Sequence, residues 1–287
     1  MADMKIAVEF YDAWQCWGID GGVKALKDAG FDAMDMSYYH DACTFFLGDD
    51  YREKALEVKA ALEKYGLSCT QAHGPIEMRY GMAQDDSEPA YVRLMRAIES
   101  AAIIGIHHIV VEGMEVPAPS TSYLNLDYNC DYYRKLEPLC KKFGVVIAVE
   151  NLKKAFTYPD LMNECLRRLD SPWFAPLVDV GHTWVRADMQ PGAYIRQLEK
   201  PICGLHVHDT AGIHKGEDEH LLPWLAELNY EDMIAALQEV GYQGDMTLEI
   251  RGFLSRYADY NLLMPALVFS AAVARKLADM MESLSST

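Results

Sequence analysis

The stretch Val145-Val-Ile-Ala-Val-Glu150 decides the fold. It is five apolar, mostly β-branched residues ended by a carboxylate, with Gly144 before it and helical sequence after it. Such a run is too short for a helix and suits a strand buried on both faces. The same grammar returns three more times downstream. Ala175–Val178 ends in Asp179, Ile202–Leu205 ends in His206, and Met246–Leu248 ends in Glu249, with helix-like sequence separating each run from the next. A parallel barrel gathers the carboxyl ends of its strands at one mouth. Two Glu, one Asp and one His meeting there would form a divalent-metal site.

Outward from this core, strand-like and helix-like segments alternate along the chain. Strands are expected at Lys5–Glu9, Ala33–Met36, Ser68–Gln71 leading to His73, and His108–Val111 leading to Glu112. Helices are expected at Gly22–Ala29, Tyr51–Tyr65, Tyr91–Ile104, Leu126–Phe143, Asp160–Leu169, after Pro191, at Glu231–Val240 and at about 262–281. Glycines 30, 66, 105, 144 and 241 directly follow helical segments, as C-cap punctuation does. No Ser/Pro-rich linker breaks the pattern, and no G-x-G-x-x-G turn opens a helix. The expectation is a single (β/α)8 barrel domain over residues 1–287 rather than an open dinucleotide-binding sheet.

Composition narrows the partners. A formal charge of −17 disfavours nucleic acid and anionic membrane. The chain is 51% apolar, without an uncharged apolar run of about 18 residues, so no membrane span is expected. Seven cysteines without a C-x-x-C read as reduced thiols, and the start Met1-Ala-Asp-Met-Lys5 lacks signal-peptide character, so a cytoplasmic protein is expected. A homo-oligomer is left open.

Each acid also has a plain structural reading. Glu150 can pair with Lys153 or Lys154, Asp179 can cap the helix that follows it, and Glu249 has Arg251 two residues away. His206 and His208 share a strand face, with Asp209 just beyond. The four strand-end groups together are far more specific than any one of them. The aromatic run Phe10–Trp17 places Trp14 as a candidate wall for an apolar sugar face, and packing under a loop is the better reading for Trp17. The loop from Tyr38 to Asp50 could form a lid.

Glu150 in V-E-N, D-V-G-H at 179–182, H-V-H-D at 206–209, D-E-H at 218–220, G-Y-Q-G at 241–244 and L-E at 248–249 resemble the xylose-isomerase-like barrel superfamily. That group includes tagatose 3-epimerase-like enzymes, inosose dehydratases and isomerases, hydroxypyruvate isomerase and, more distantly, endonuclease IV. The resemblance implies one metal held by Glu150, Asp179, His206 and Glu249. Three carboxylates and an imidazole suit Mn²⁺, with Mg²⁺, Co²⁺ and Zn²⁺ also compatible. It implies that Glu150 and Glu249 act as acid and base on a carbohydrate through a metal-stabilised enediolate, giving epimerisation, isomerisation or dehydration. His182 matches the substrate-binding His, while His73, Glu112, Asp218, His220, Trp14 and Arg251 are further candidates for the substrate pocket. Lys153, Lys154, Arg186, Lys215 and Arg251 are the candidates to meet a phosphate or carboxylate. The epimerases' basic residue after the seventh strand has no counterpart in Asp-Thr-Ala-Gly-Ile. The alternative reading is a trinuclear zinc phosphodiesterase, in which His73, His182, Asp218 and His220 match but Glu112 replaces a His. For His214 and Glu217 in the same loop, a solvated position and a place in the pocket are equally good readings, while Asp218 and His220 fit the pocket better.

Overall fold

The computed structural model describes residues 4–212, 217–258 and 261–283, without the side chains of Lys153 and Lys154. Eight strands run in one parallel sheet: β1 (Ile6–Glu9), β2 (Ala33–Ser37), β3 (Ser68–His73), β4 (His108–Val110), β5 (Val146–Glu150), β6 (Phe174–Asp179), β7 (Gly204–His206) and β8 (Met246–Leu248). Their order is β7-β6-β5-β4-β3-β2-β1-β8. A parallel bridge between Val207 and Leu248 joins the two ends, through Val207 N–H to Thr247 O at 2.8 Å and Glu249 N–H to Val207 O at 3.1 Å. The sheet is therefore closed, and the protein is a (β/α)8 barrel.

The long helices α1 (Tyr11–Ala29), α3 (Tyr51–Tyr65), α4 (Pro89–Ile104), α5 (Ser122–Phe143), α7 (Pro159–Leu169), α10 (Tyr230–Glu239) and α12 (Leu263–Ser283) bury their apolar stripes against the barrel's outer face. Inside the barrel is a smaller apolar layer of Val110, Ala148 and Leu177, backed by Cys203. Short helices follow the strand ends at the mouth: α2 (His40–Phe46), α6 (Lys153–Phe156), α8 (Val180–Ala187) and α11 (Arg251–Ala258), while the short α9 (Pro191–Ile195) packs against α8 and α10.

Differences from the sequence reading fall mostly near the mouth. The first helix starts at Tyr11 rather than Gly22, because the aromatic run is itself helical and joins the rest across a kink at Gly18 (φ 69°). The presumed lid between Tyr38 and Asp50 contains α2, whose Ala42, Cys43 and Phe46 are buried in the core. The fourth strand stops at Val110, one residue early, and the third continues to His73. Strand registers level the mouth: Glu9 pairs with Asp35, Ser37 with His73, and Asp179 with His206.

Candidate active site

Strand ends deliver the side chains. Glu150 and Asp179 are the last residues of β5 and β6, His206 is the last of β7, and Glu249 follows β8 directly. One ligand atom from each of the four lies within 4.8 Å of the others. The group is centred on His206 Nδ1, which is 3.2 Å from Glu150 Oε1, 3.5 Å from Glu249 Oε2 and 3.9 Å from Asp179 Oδ2. Above it opens a cavity of about 490 Å³, whose walls include Glu150, Glu249, His73, Glu112, His182, Asp218 and His220.

Burial and neighbouring charges pull the two glutamates of this nest in opposite directions. Burial raises the Glu150 carboxyl, but the hydrogen bond with His206 and the charges of His182, His206 and His73 outweigh it and hold it below its ordinary value. Glu249 goes the other way. Burial pushes it well above the carboxylate range, Asp179, Glu150 and Glu9 add to that, and His206 alone does not compensate. Glu150 Oε2 is buried without a hydrogen-bond partner. Two buried carboxylates and a third, half-buried one around one imidazole, with one oxygen orphaned, fit a hard or borderline divalent ion.

Asp179 caps the helix that follows it, as the plain structural reading expects: its Oδ1 accepts from the His182 N–H at 2.8 Å, and its carboxylate also lies close to Glu150, His206 and Glu249. The cap points the first turn of α8 into the mouth, which brings His182 Nε2 within 2.7 Å of Asp218 Oδ2. Burial lowers His182, yet Asp179 and the bond to Asp218 raise it to about 10. His220 completes a second cluster with His182 and Asp218, and burial beside His208 lowers its imidazole to about 4. A third cluster joins His73 and Glu112 to Glu150. His73 Nε2 is 4.0 Å from Glu150 Oε2, and its ring stacks on that of His206 at 5.6 Å.

Other candidates land differently. Arg186 and Arg251 both line the cavity; Arg186 is 3.8 Å from Asp218, and Arg251 lies over the Tyr11 ring at 4.4 Å. Trp14 is not part of the cavity wall among the described residues. It packs on Phe45 and Phe46 of α2 at 5.0 and 5.1 Å, because the helical start of α1 turns it to that side. Trp17, expected under a loop, is 40% exposed. Asp209 holds the following loop instead of facing a ligand, accepting from the N–H groups of Ala226, Glu227 and Leu228. His214, Lys215 and the side chains of Lys153 and Lys154 lie outside the described residues.

Glu9 and Asp35 stand near the site without a site expectation from the sequence, and His208, expected only to share the strand face of His206, stands there with them. Glu9 ends Ile6-Ala-Val-Glu9 at the mouth, lines the cavity and accepts from the Tyr39 hydroxyl. Asp35 lies inside β2 below His206. His208, itself not one of the four, meets Asp179 Oδ1 through Nε2 at 2.9 Å and stacks its ring on His220 at 4.0 Å, so it braces the Asp179 carboxylate. Glu9 carried the same signal as Glu150, an acid closing an apolar run, and His208 shared the strand face of His206.

A closed parallel barrel with acids and imidazoles at its carboxyl mouth defines a class that comparison with known proteins narrows. The chain matches the family described as "Xylose isomerase-like TIM barrel" over residues 23–278, and it belongs to that family. A match to an uncharacterised protein of Methanocaldococcus jannaschii is 25% identical over 162 residues, spanning 53% of this chain and about half (54%) of that protein. Among solved structures, a D-tagatose 3-epimerase-like protein superimposes with a TM-score of 0.75 at 18% identity, covering 98% of this chain and 100% of that one. The 3-keto-D-glucoside 4-epimerase YcjR of E. coli gives 0.70 at 20% identity, covering 95% and 99%. The IolI protein, solved with a bound zinc atom, gives 0.73 at 14%, covering 97% and 98%. At these identities the structural likeness bears on the fold.

Proposed function

We propose that this protein is a divalent-metal-dependent isomerase or epimerase acting on a sugar, sugar phosphate or related polyol ketone. The observation that carries the reading is the convergence of Glu150, Asp179, His206 and Glu249, of which Glu150 and Glu249 line the mouth cavity. These four would hold the ion, with Mn²⁺ first and Mg²⁺, Co²⁺ or Zn²⁺ as alternatives. A bound ion supplies Lewis-acid polarisation of a carbonyl and its neighbouring hydroxyl. The protein's titratable groups do the rest. Glu150 and Glu249 rise from strands three apart around the barrel, so a substrate carbon between them has a proton acceptor and a donor on different sides. Removal of the proton beside the carbonyl by one and return by the other inverts that carbon. Return to the adjacent carbon isomerises, and loss of a β-hydroxyl dehydrates. His182, Asp218, His220 and Arg251 orient the hydroxyl-bearing remainder of the substrate, and the polar cavity suits such a molecule.

The test is elemental analysis of the purified protein with a screen of ketoses, aldoses, inososes and their phosphates. About one ion per chain and turnover of one such substrate are expected. Substrate turned over in D₂O gains deuterium beside the carbonyl, wholly or in part. Complete absence of deuterium in converted substrate would remove the carboxylate-base mechanism. Glu150→Gln and Glu249→Gln each lower turnover at least about 10²-fold with the fold retained.

A second reading rests on the further clusters His182/Asp218/His220, His208/His220/Glu249 and His73/Glu112/Glu150, which adjoin the first and share residues with one another or with it. Several adjacent metal-type groups are what a multinuclear zinc phosphodiesterase requires. About three zinc ions per chain with phosphodiester cleavage would favour it. The charge of −17 and the carboxylate at Glu112 favour the sugar reading.

A further inference from the structure

His206 turns its two ring nitrogens toward different acids. Nδ1 faces the carboxylates of the four-ligand group, while Nε2 points down the barrel interior toward Asp35 Oδ2 at 3.6 Å and has no closer partner. Asp35 is buried in the middle of β2, in Ala-Met-Asp-Met-Ser, where a lone carboxylate has a desolvation cost that packing alone does not explain. Its Oδ2 accepts from Gln71 Nε2 at 2.5 Å. The same amide nitrogen donates to Leu205 O at 3.2 Å, so both its hydrogens are assigned and Oε1 of Gln71 must be the acceptor end. His108 Nε2, at 3.0 Å from that oxygen, therefore carries a hydrogen. Residues from β7, β2, β3 and β4 thus form one polar column inside the barrel, from His206 through Asp35 and Gln71 to His108. Gly204 leaves room for it: a Cβ there would sit 2.2 Å from Gln71 Oε1 and 2.7 Å from His108 Nε2.

We propose that Asp35, held in place by Gln71 and His108, is a positioning residue that fixes His206 as an Nδ1 ligand for the divalent ion. A carboxylate beside Nε2 selects the tautomer with its hydrogen on Nε2 and leaves the Nδ1 lone pair facing Glu150, Asp179 and Glu249. It also fixes the ring plane and raises the basicity of the coordinating nitrogen, as carboxylates behind metal-bound imidazoles do. The directed amide of Gln71 matters for the same reason, because it prevents Asp35 from turning away. This inference rests on the metal reading of the four-residue group.

The full chain, stripped with a chelator and titrated with Mn²⁺ and with Zn²⁺, tests it. Asp35→Leu, similar in size but without an acceptor, weakens binding of both ions about 10–100-fold. Asp35→Asn, which keeps an oxygen toward Gln71 and His206 but loses the charge, recovers part of that loss. Nitrogen-15 spectra of the zinc-loaded wild type place the imidazole hydrogen of His206 on Nε2. A folded Asp35→Leu variant that binds as tightly as the wild type overturns the proposal and leaves the metal reading standing. Zinc-loaded wild type with the hydrogen on Nδ1 does the same, and needs no variant to fold. Wild-type protein that binds neither ion overturns the metal reading and this proposal together.

Discussion

His108, at the foot of the polar column, is the residue whose charge state the interior controls most plainly. Burial lowers its imidazole to about 4, with His107 and His206 assisting and only Asp35 opposing. Its ordinary value in an unfolded chain is near 6.5. Between those values the unfolded chain binds a proton that the folded chain refuses, so the unfolded state gains and stability falls as pH falls. The contribution is full above about pH 6.5 and lost as pH drops through about 4. Urea unfolding of His108→Gln should therefore show a flatter pH dependence across that window than the wild type, and equal slopes would count against it. At this scale the sequence was most legible where an acid closes an apolar run, as Glu150 does. Glu9 closes its run in the same way, yet it is read only once the barrel closes and puts it beside Glu249. Asp35 was illegible for another reason. A single acid inside a short strand looks like a strand's solvent face, and only closure of the sheet turns that face into the barrel's interior.

At the scale of elements, the site depends on how tightly α8 meets the end of β7. A Cβ on Gly181 would lie 2.0 Å from His208 Cε1, and that ring cannot yield cheaply because it is fully buried, bonded to Asp179 and stacked on His220. Gly181→Ala should destabilise the protein by about 1–3 kcal/mol, the usual range for overpacking, and weaken metal binding by disturbing Asp179. An unfolding midpoint and an ion affinity both like the wild type would show that the ring has somewhere to go. The long helices were legible because apolar stripes and terminal glycines mark them; Gly30, Gly66, Gly105 and Gly144 follow their helices with φ between 64° and 102°. The short helices α2, α6 and α11 were not, because segments of one or two turns carry too few residues to show a period, and α8 was marked only by the cap that Asp179 offers. Their order comes from docking on the barrel. Trp14 was misplaced for the same reason, since its direction depends on a helix that its own aromatic neighbours conceal.

For the molecule as a whole, the consequence of gathering so many acids at one end is a reserve of stability that an ion can release. A ligand that binds only the folded state, at about a hundredfold excess over its Kd, stabilises by about 2.7 kcal/mol. For a chain of this size that corresponds to roughly 4–5 °C in the unfolding midpoint. Addition of Mn²⁺ to chelator-treated protein should produce such a rise, and renewed chelation should reverse it. An unmoved midpoint at saturating ion would speak against a site in the folded mouth. None of the described helices is long and apolar enough to cross a membrane.

The seam where Val207 meets Leu248 has a bearing on how the protein comes into being. Glu249 follows the eighth strand, which is hydrogen-bonded on one side to the first strand and on the other to the residue after His206. On the ribosome, the segment that emerges last among the strands must therefore find the segment that emerged first before the metal-type nest has all its members. A nascent or prematurely terminated chain that stops short of Glu249 carries three of the four groups and an open sheet edge. Such a chain lacks the carboxylate that completes the nest, so the chemistry proposed here begins only once synthesis has passed the eighth strand and the ring has closed.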